Sequence, residues 1–309
     1  MKIAIIGAGS LGLLYASRLK KYTNAELFLI TRTEEQKMKL IKENLQMYEQ
    51  DGTNYTIYIQ TFSQFEHGQA MDWIFLMVKQ TDRMGIEKTI EQWSGEKTKI
   101  LCFQNGIGHR EYLQQQIPNP LYSAITTEGA LRLDENRVKH TGKGETWMGY
   151  PEQSYDDSME ELLYLFNQAG FLSFYSEKIM EKSWRKLAIN AVINPLTALF
   201  EVKNGVLNDD LYLQRLVKRL VTEITEVIAL ANIDIGQEIE QAIRQVCIST
   251  KENESSMLQD IKRGRKTEID SITVPFLNLG KNYLISTPLL EGITWMVHAK
   301  ENLMDKRKG

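Results

Sequence analysis

Lys186, Asn190 and Asn194 stand four residues apart in "SWRKLAINAVINPLTALF" (183–200), a run whose other members are mostly apolar. At helical spacing the three fall on one stripe and span about 12 Å. An ammonium and two carboxamides on one face suit the reduction of a ketone. Hydride arriving at a carbonyl carbon leaves negative charge on the oxygen, which a positioned ammonium stabilises and protonates. Lys186 is the member of the stripe able to do both. Apolar surroundings lower a lysine pKa toward neutrality, and a nearby carboxylate raises it again. Glu268, in "NESSMLQDIKRGRKTEID" (253–270), offers such a carboxylate, and Ser255 or Ser256 opens a helix there. Pro195 follows Asn194 directly and is expected to free a backbone carbonyl and bend the helix. The competing reading makes Lys186 a surface lysine and the two amides interhelical hydrogen-bond partners.

A second signal lies at the start of the chain, where "KIAIIGAGSLG" sets Gly7, Gly9 and Gly12 between a strand pattern and a helix pattern. In that context the glycines read as a dinucleotide turn. Gly7 allows the bend, Gly9 lets backbone approach a pyrophosphate, and Gly12 lets the helix pack on the sheet. The helix start offers N–H groups and a positive dipole end to the phosphates. About 20 residues on, NAD enzymes place an acidic group. Here "LITRTEE" puts Thr31 and Arg32, a hydroxyl and a guanidinium suited to a 2′-phosphate, so NADP(H) is favoured. Lys79 closes "WIFLMVK" and Asn105 follows "KILCF", both at the carboxyl ends of predicted strands, where ligands of open α/β sheets sit. A solvated strand cap is the plainer account of Lys79.

The elements that must position these groups follow from periodicity. "KIAII" (2–6), "ELFLITR" (26–32), "DWIFLMVK" (72–79) and "KILCFQN" (99–105) are continuous apolar runs, as expected of strands covered on both faces in a parallel sheet. Helical patterns cover 10–22 and 158–171, the latter ended by Gly170, with a β-rich stretch at 120–150 and a last strand in "LSFYS". From about Ile179 helical periodicity dominates, and Thr287-Pro288 opens a final helix. The expected fold is α/β: an N-terminal doubly wound sheet domain over residues 1–177, then an all-α domain over 178–309.

The 309 residues suffice for two domains, and a net charge of −3 with interspersed signs argues against a nucleic-acid partner. Cys102 and Cys247 each sit in an apolar run, which predicts buried thiols in a reducing compartment rather than a disulfide. The scattered histidines pair with no cysteine at ligand spacing, so no metal is expected. No apolar run nears the roughly 18 residues of a membrane span. These features predict a soluble cytoplasmic protein acting on a small molecule. Monomer and homodimer both remain open.

Taken together, these residues resemble the ketopantoate reductase (2-dehydropantoate 2-reductase) family nearly end to end. The resemblance rests on "GAGSLG", "MVKQ", "FQNGIG", "HTGKGETWMG", "WRKLAINAVINPLTAL", "KNGVL" and "NESSMLQDIKRGRKTEID". It implies a Rossmann-type domain followed by a helical one, with the active site in the cleft between. It also implies hydride transfer from NADPH to the C2 ketone of a 2-keto acid, on the route to pantothenate and coenzyme A. Under it Lys186 is the proton donor, oriented by Glu268. Asn105, Asn190, Asn194 and Asn204 touch substrate, while Asn253 and Ser256 hold its end. The turn Gly7, Ala8, Gly9, Ser10, Leu11, Gly12, with Arg32, Lys79, Asn105, Gly129 and Glu268, contacts the cofactor. Two departures stand out. Leu289-Leu290 follow Pro288 where the family commonly has an asparagine, and Glu128 in "TTEGAL" replaces an expected hydroxyl or histidine. Alternatives are a reductase of another 2-keto acid, an opine-type dehydrogenase and a non-enzymatic NADPH sensor.

Overall fold

The computed structural model describes residues 1–79, 85–103, 107–150 and 157–306. The chain divides into two compact units: the described residues up to Met180 form the first, apart from Ile107 and Gly108, which group with Glu181 onward in the second.

In the first unit the chain runs β1 (Lys2–Ile6), α1 (Ser10–Tyr22), β2 (Glu26–Thr31), α2 (Glu34–Glu43), β3 (Leu45–Tyr48), β4 (Asn54–Ile57), β5 (Gln60–Ser63) and β6 (Trp73–Leu76). It continues with α3 (Ile86–Trp93), β7 (Lys99–Cys102), α4 (His109–Gln116), β8 (Leu121–Thr126), β9 (Gly129–Arg132), β10 (Arg137–Gly142), β11 (Glu145–Gly149), α5 (Asp157–Gln168) and β12 (Leu172–Tyr175). The larger sheet has the order β12-β11-β8-β7-β6-β1-β2-β5. Its pairs are parallel except β8 with β11. Strand residues alternate between two cores. Ile3, Ile5, Leu27, Leu29 and Phe75 face one, while Ala4, Ile6, Phe28, Ile30 and Ile74 face the other. Burial on both faces is why these strands read as unbroken apolar runs. Strand order reverses at β1, with β2 on one side and β6 on the other, so the switch point lies at their carboxyl ends.

A second sheet, β4-β3-β10-β9, covers the far side of α1. Residues 45–63 were not expected to form strands. The missed signal was Asp51-Gly52, which turns the β3–β4 hairpin with Gly52 at φ +86°. Behind α1, Arg18 forks onto Glu49 at 3.2 and 2.7 Å, and His140 meets Glu128 at 2.6 Å. Burial alone raises the Glu49 carboxyl pKa, but the Arg18 guanidinium outweighs it and holds the group below the usual range.

The second unit is helical: α6 (Ile179–Phe200), α7 (Val206–Asp209), α8 (Leu211–Leu230), α9 (Ile239–Ser249), α10 (Ser256–Lys262), α11 (Ile269–Tyr283) and α12 (Pro288–Lys306). Leu220, Ile224, Ile272, Phe276, Leu290 and Val297 share one core. The helix α6 continues through Pro195, and Ala191, Val192 and Leu196 around it are fully buried. The N–H groups of Leu289 and Leu290 donate to buried Glu223 at 3.1 and 3.0 Å. A carboxylate from α8 thus caps α12 beside the Leu-Leu pair that departs from the family pattern.

Candidate active site

The glycine turn sits at the switch point of the larger sheet, and each glycine has its own reason. Gly7 has φ +113°, and a Cβ there would come within 2.8 Å of Met77 and Val78 backbone. At Gly12 a Cβ would lie 1.8 Å from the Gly7 carbonyl oxygen. At Gly9 it would meet nothing within 4 Å. Two glycines are therefore demanded by the fold, whereas Gly9 opens onto space. Gly9 also begins α1, with no side-chain cap on that helix start among the described residues. Uncapped N–H groups, open room and a positive helix end fit a pyrophosphate.

Neighbouring groups brace the turn. Gln36 Nε2 donates to the carbonyls of Ala8 and Glu135, each at 2.9 Å, and the Arg132 N–H donates to Ser10 Oγ at 3.0 Å. Sequence reading missed Gln36 and Arg132, since neither lies in a motif. Leu11 is partly covered. Lys79 is exposed and lies beyond β6, which ends at Leu76 rather than reaching the lysine. The intervening Met77 and Val78 pack on Gly7, so the segment leading to Lys79 runs along the glycine turn.

Arg32 is exposed directly after β2. Thr31 corrects the expectation made of it: it is fully buried, and its hydroxyl lies 3.0 and 3.2 Å from the carbonyls of Thr33 and Phe62. Any reading of a 2′-phosphate at this strand end falls to Arg32. Gly129 opens β9, where a Cβ would lie 2.9 Å from the Gly142 nitrogen, so close strand pairing already requires glycine there. Asn105 lies outside the described residues.

In the helical unit, Lys186, Asn190 and Asn194 lie along α6, with Asn194 buried and the other two partly covered. Burial lowers the Lys186 pKa from 10.5 to about 8, against an opposing pull from the charge of Glu268. Glu268 is itself buried, immediately before α11, where the adjoining Thr267 N–H donates to Glu301 of α12 at 2.6 Å. An ammonium with a pKa near 8 is protonated at neutral pH yet gives up its proton readily, the condition sought in a general acid.

Asn204, Asn253 and Ser256 cluster beyond the end of α6. The Asn204 N–H donates to the Asn253 carbonyl at 3.0 Å, and its side chain donates to Thr250 Oγ1 at 2.9 Å. Asn204 is buried with its Oδ1 unpartnered, while Asn253 and Ser256 are exposed. Ser255, not Ser256, caps α10, its Oγ accepting the Leu258 N–H at 3.1 Å. Thr197, which sequence reading passed over, joins Asn194's turn to this cap.

Comparison with known proteins accounts for both halves of the chain. The model described as "Ketopantoate reductase PanE/ApbA" matches residues 3–153, and its C-terminal counterpart matches residues 178–301. The chain belongs to the ketopantoate reductase family. A 2-dehydropantoate 2-reductase of Bacillus subtilis strain 168 is 33% identical over 95% of this chain and 92% of its own. One from Pyrococcus horikoshii is 32% identical over 98% of both chains. Among solved structures, D-mandelate dehydrogenase with NADH and anilino(oxo)acetate superposes with a TM-score of 0.91 at 26% identity, covering 99% of both chains. This ketopantoate reductase family member is thus an oxidoreductase. No helix among its described residues is long and apolar enough to cross a membrane.

Proposed function

We propose that this protein reduces ketopantoate to (R)-pantoate with NADPH, in the cytoplasm, as a step toward pantothenate and coenzyme A. A nicotinamide dinucleotide bound along the turn Gly7, Ala8, Gly9, Ser10, Leu11, Gly12 would supply the hydride. Arg32 reads its 2′-phosphate, and Lys79, Asn105 and Gly129 add contacts. Residues 1–177 serve the nucleotide and residues 178–309 the acid. Lys186 stabilises charge on the C2 oxygen and gives it the Nζ proton, leaving a neutral amine. Glu268 keeps that nitrogen protonated until the oxygen needs it. Asn105, Asn190, Asn194 and Asn204 fix the acid's polar groups, and Asn253 and Ser256 hold its far end.

The observation that carries this reading is the placement of Lys186 on one stripe of α6 with Asn190 and Asn194, where its surroundings lower its pKa to about 8 and Glu268 lies in electrostatic reach. A cofactor-binding sensor needs neither feature. The likeness to D-mandelate dehydrogenase supports a second reading, in which an NADH-dependent enzyme takes a bulkier 2-keto acid. Steady-state oxidation of NADPH and NADH with ketopantoate, an aryl 2-keto acid and an amino-acid-plus-keto-acid pair separates these cases. Preference for NADPH with ketopantoate supports the proposal. Preference for NADH with the aryl acid replaces it, and no turnover of any acid leaves the sensor.

A further inference from the structure

Pro195 has no N–H to give the Ala191 carbonyl, so the turn of α6 that carries Asn194 lacks one rung. The same turn is held from outside. Thr197, fully buried, hydrogen-bonds Ser255 Oγ at 2.7 Å and lies 2.7 Å from the Ile193 carbonyl and 3.1 Å from that of Asn194. Ser255 is also buried, and its Oγ accepts the Leu258 N–H that starts α10. A threonine inside a helix commonly satisfies its hydroxyl on the carbonyl four residues back, with no need of a partner elsewhere. Here the hydroxyl spans two elements. It links the turn of Asn194 to the residue next to Ser256, two positions assigned above to opposite ends of the substrate.

We propose that Thr197 and Ser255 are positioning residues for acid recognition. Their paired hydroxyls set the separation between Asn194 on α6 and Ser256 on α10, and so the length of acid that both can grip. The inference rests on the proposed roles of Asn194 and Ser256. Its effect falls on binding of the keto acid, because both hydroxyls are buried and bonded to each other and to backbone. Loss of the bridge lets the unrunged turn shift, which weakens the grip without disturbing Lys186 two turns earlier.

Steady-state kinetics with NADPH and ketopantoate on Thr197→Val, Ser255→Ala, the double variant and Thr197→Ser provide the test. Thr197→Val keeps the branched shape and exchanges the hydroxyl for a methyl. The expected result is a KM for the keto acid raised about fivefold to tenfold, the equivalent of one neutral hydrogen bond. The kcat and the KM for NADPH stay within about twofold. The double variant is no worse than Ser255→Ala, which loses the α10 cap as well as the shared bond, and Thr197→Ser restores the wild-type KM. If Thr197→Val does not fold, Ser255→Ala removes the same bond from the other side, together with the α10 cap. An active wild type whose variants keep the keto-acid KM, or lose kcat and both KM values together, overturns this inference alone. A wild type that turns over no 2-keto acid overturns it along with the underlying assignment.

Discussion

Replacing Lys186 by methionine should move activity and stability in opposite directions. The folded pKa of about 8, against 10.5 for a free lysine, means that holding the charge in the fold at neutral pH costs about 3 kcal/mol. That figure already includes the attraction of Glu268, so removing the ammonium does not forfeit a further favourable term. Methionine matches the length of the side chain and carries no charge, and should stabilise the protein at neutral pH by about 2–3 kcal/mol. The wild type binds fewer protons than its unfolded chain between about pH 8 and pH 10.5, so its stability rises with pH across that window. The variant should lack this rise. Meanwhile kcat/KM for keto-acid reduction should fall by about 10²–10⁴, the usual contribution of a positioned acid. Urea unfolding near neutrality and near pH 10, beside NADPH oxidation rates, reads both quantities. A variant less stable than wild type at neutral pH, or one retaining most of its turnover, refutes the reasoning.

Reduction by wild type should be flat below about pH 8 and decline above it as Lys186 loses its proton; Glu268→Gln should move that limb to lower pH, seen in a kcat/KM profile. Gly12→Ala should prevent folding because its Cβ would lie 1.8 Å from the Gly7 oxygen, while Gly9→Ala, with open space, should keep the wild-type Tm and lose dinucleotide affinity by titration. Arg32→Ala should weaken NADPH by tenfold or more, about 1.4 kcal/mol, and leave NADH nearly unchanged, which a comparison of the two KM values checks. Glu223→Ala should cost about 2–3 kcal/mol in urea unfolding, since the partly covered Leu289 N–H and the buried Leu290 N–H at the start of α12 lose their acceptor.

The central strands were legible because burial on both faces leaves continuous apolar runs, as in Ile3–Ile6 and Trp73–Leu76. In the smaller sheet β9 and β10 fall within the β-rich stretch read at 120–150, but β3 and β4 were not legible, because β3 pairs in parallel with β10, a partner far along the chain, and short half-polar strands carry little local signal. The stripe of Lys186, Asn190 and Asn194 was legible from spacing alone, since one helix carries all three. The proximity of Glu268 depended on how α11 returns to α6, which spacing does not encode. Thr197 looked like an ordinary helix residue, for only the packing of α10 reveals what its hydroxyl meets. Thr31 failed for a related reason: a hydroxyl at a strand end is equally able to turn outward to a ligand or inward to backbone, and it turns inward.

Glu128 illustrates how a departure from a family pattern is absorbed by its surroundings. The carboxylate does not face solvent or a ligand; it is buried against His140, 2.6 Å away, with its own N–H donating to Thr126 Oγ1. His140 in turn lies 3.3 Å from Arg18, which forks onto Glu49, so each buried charge has an opposite partner or hydrogen-bonding group. Such a network is costly to break at one member and neutral when its members change together. The unexpected glutamate therefore belongs to the internal wiring between α1, β3 and β10. Under the proposed function, specificity is set instead on α6 and beside Ser256, where Asn190 is half-covered and Asn253 exposed.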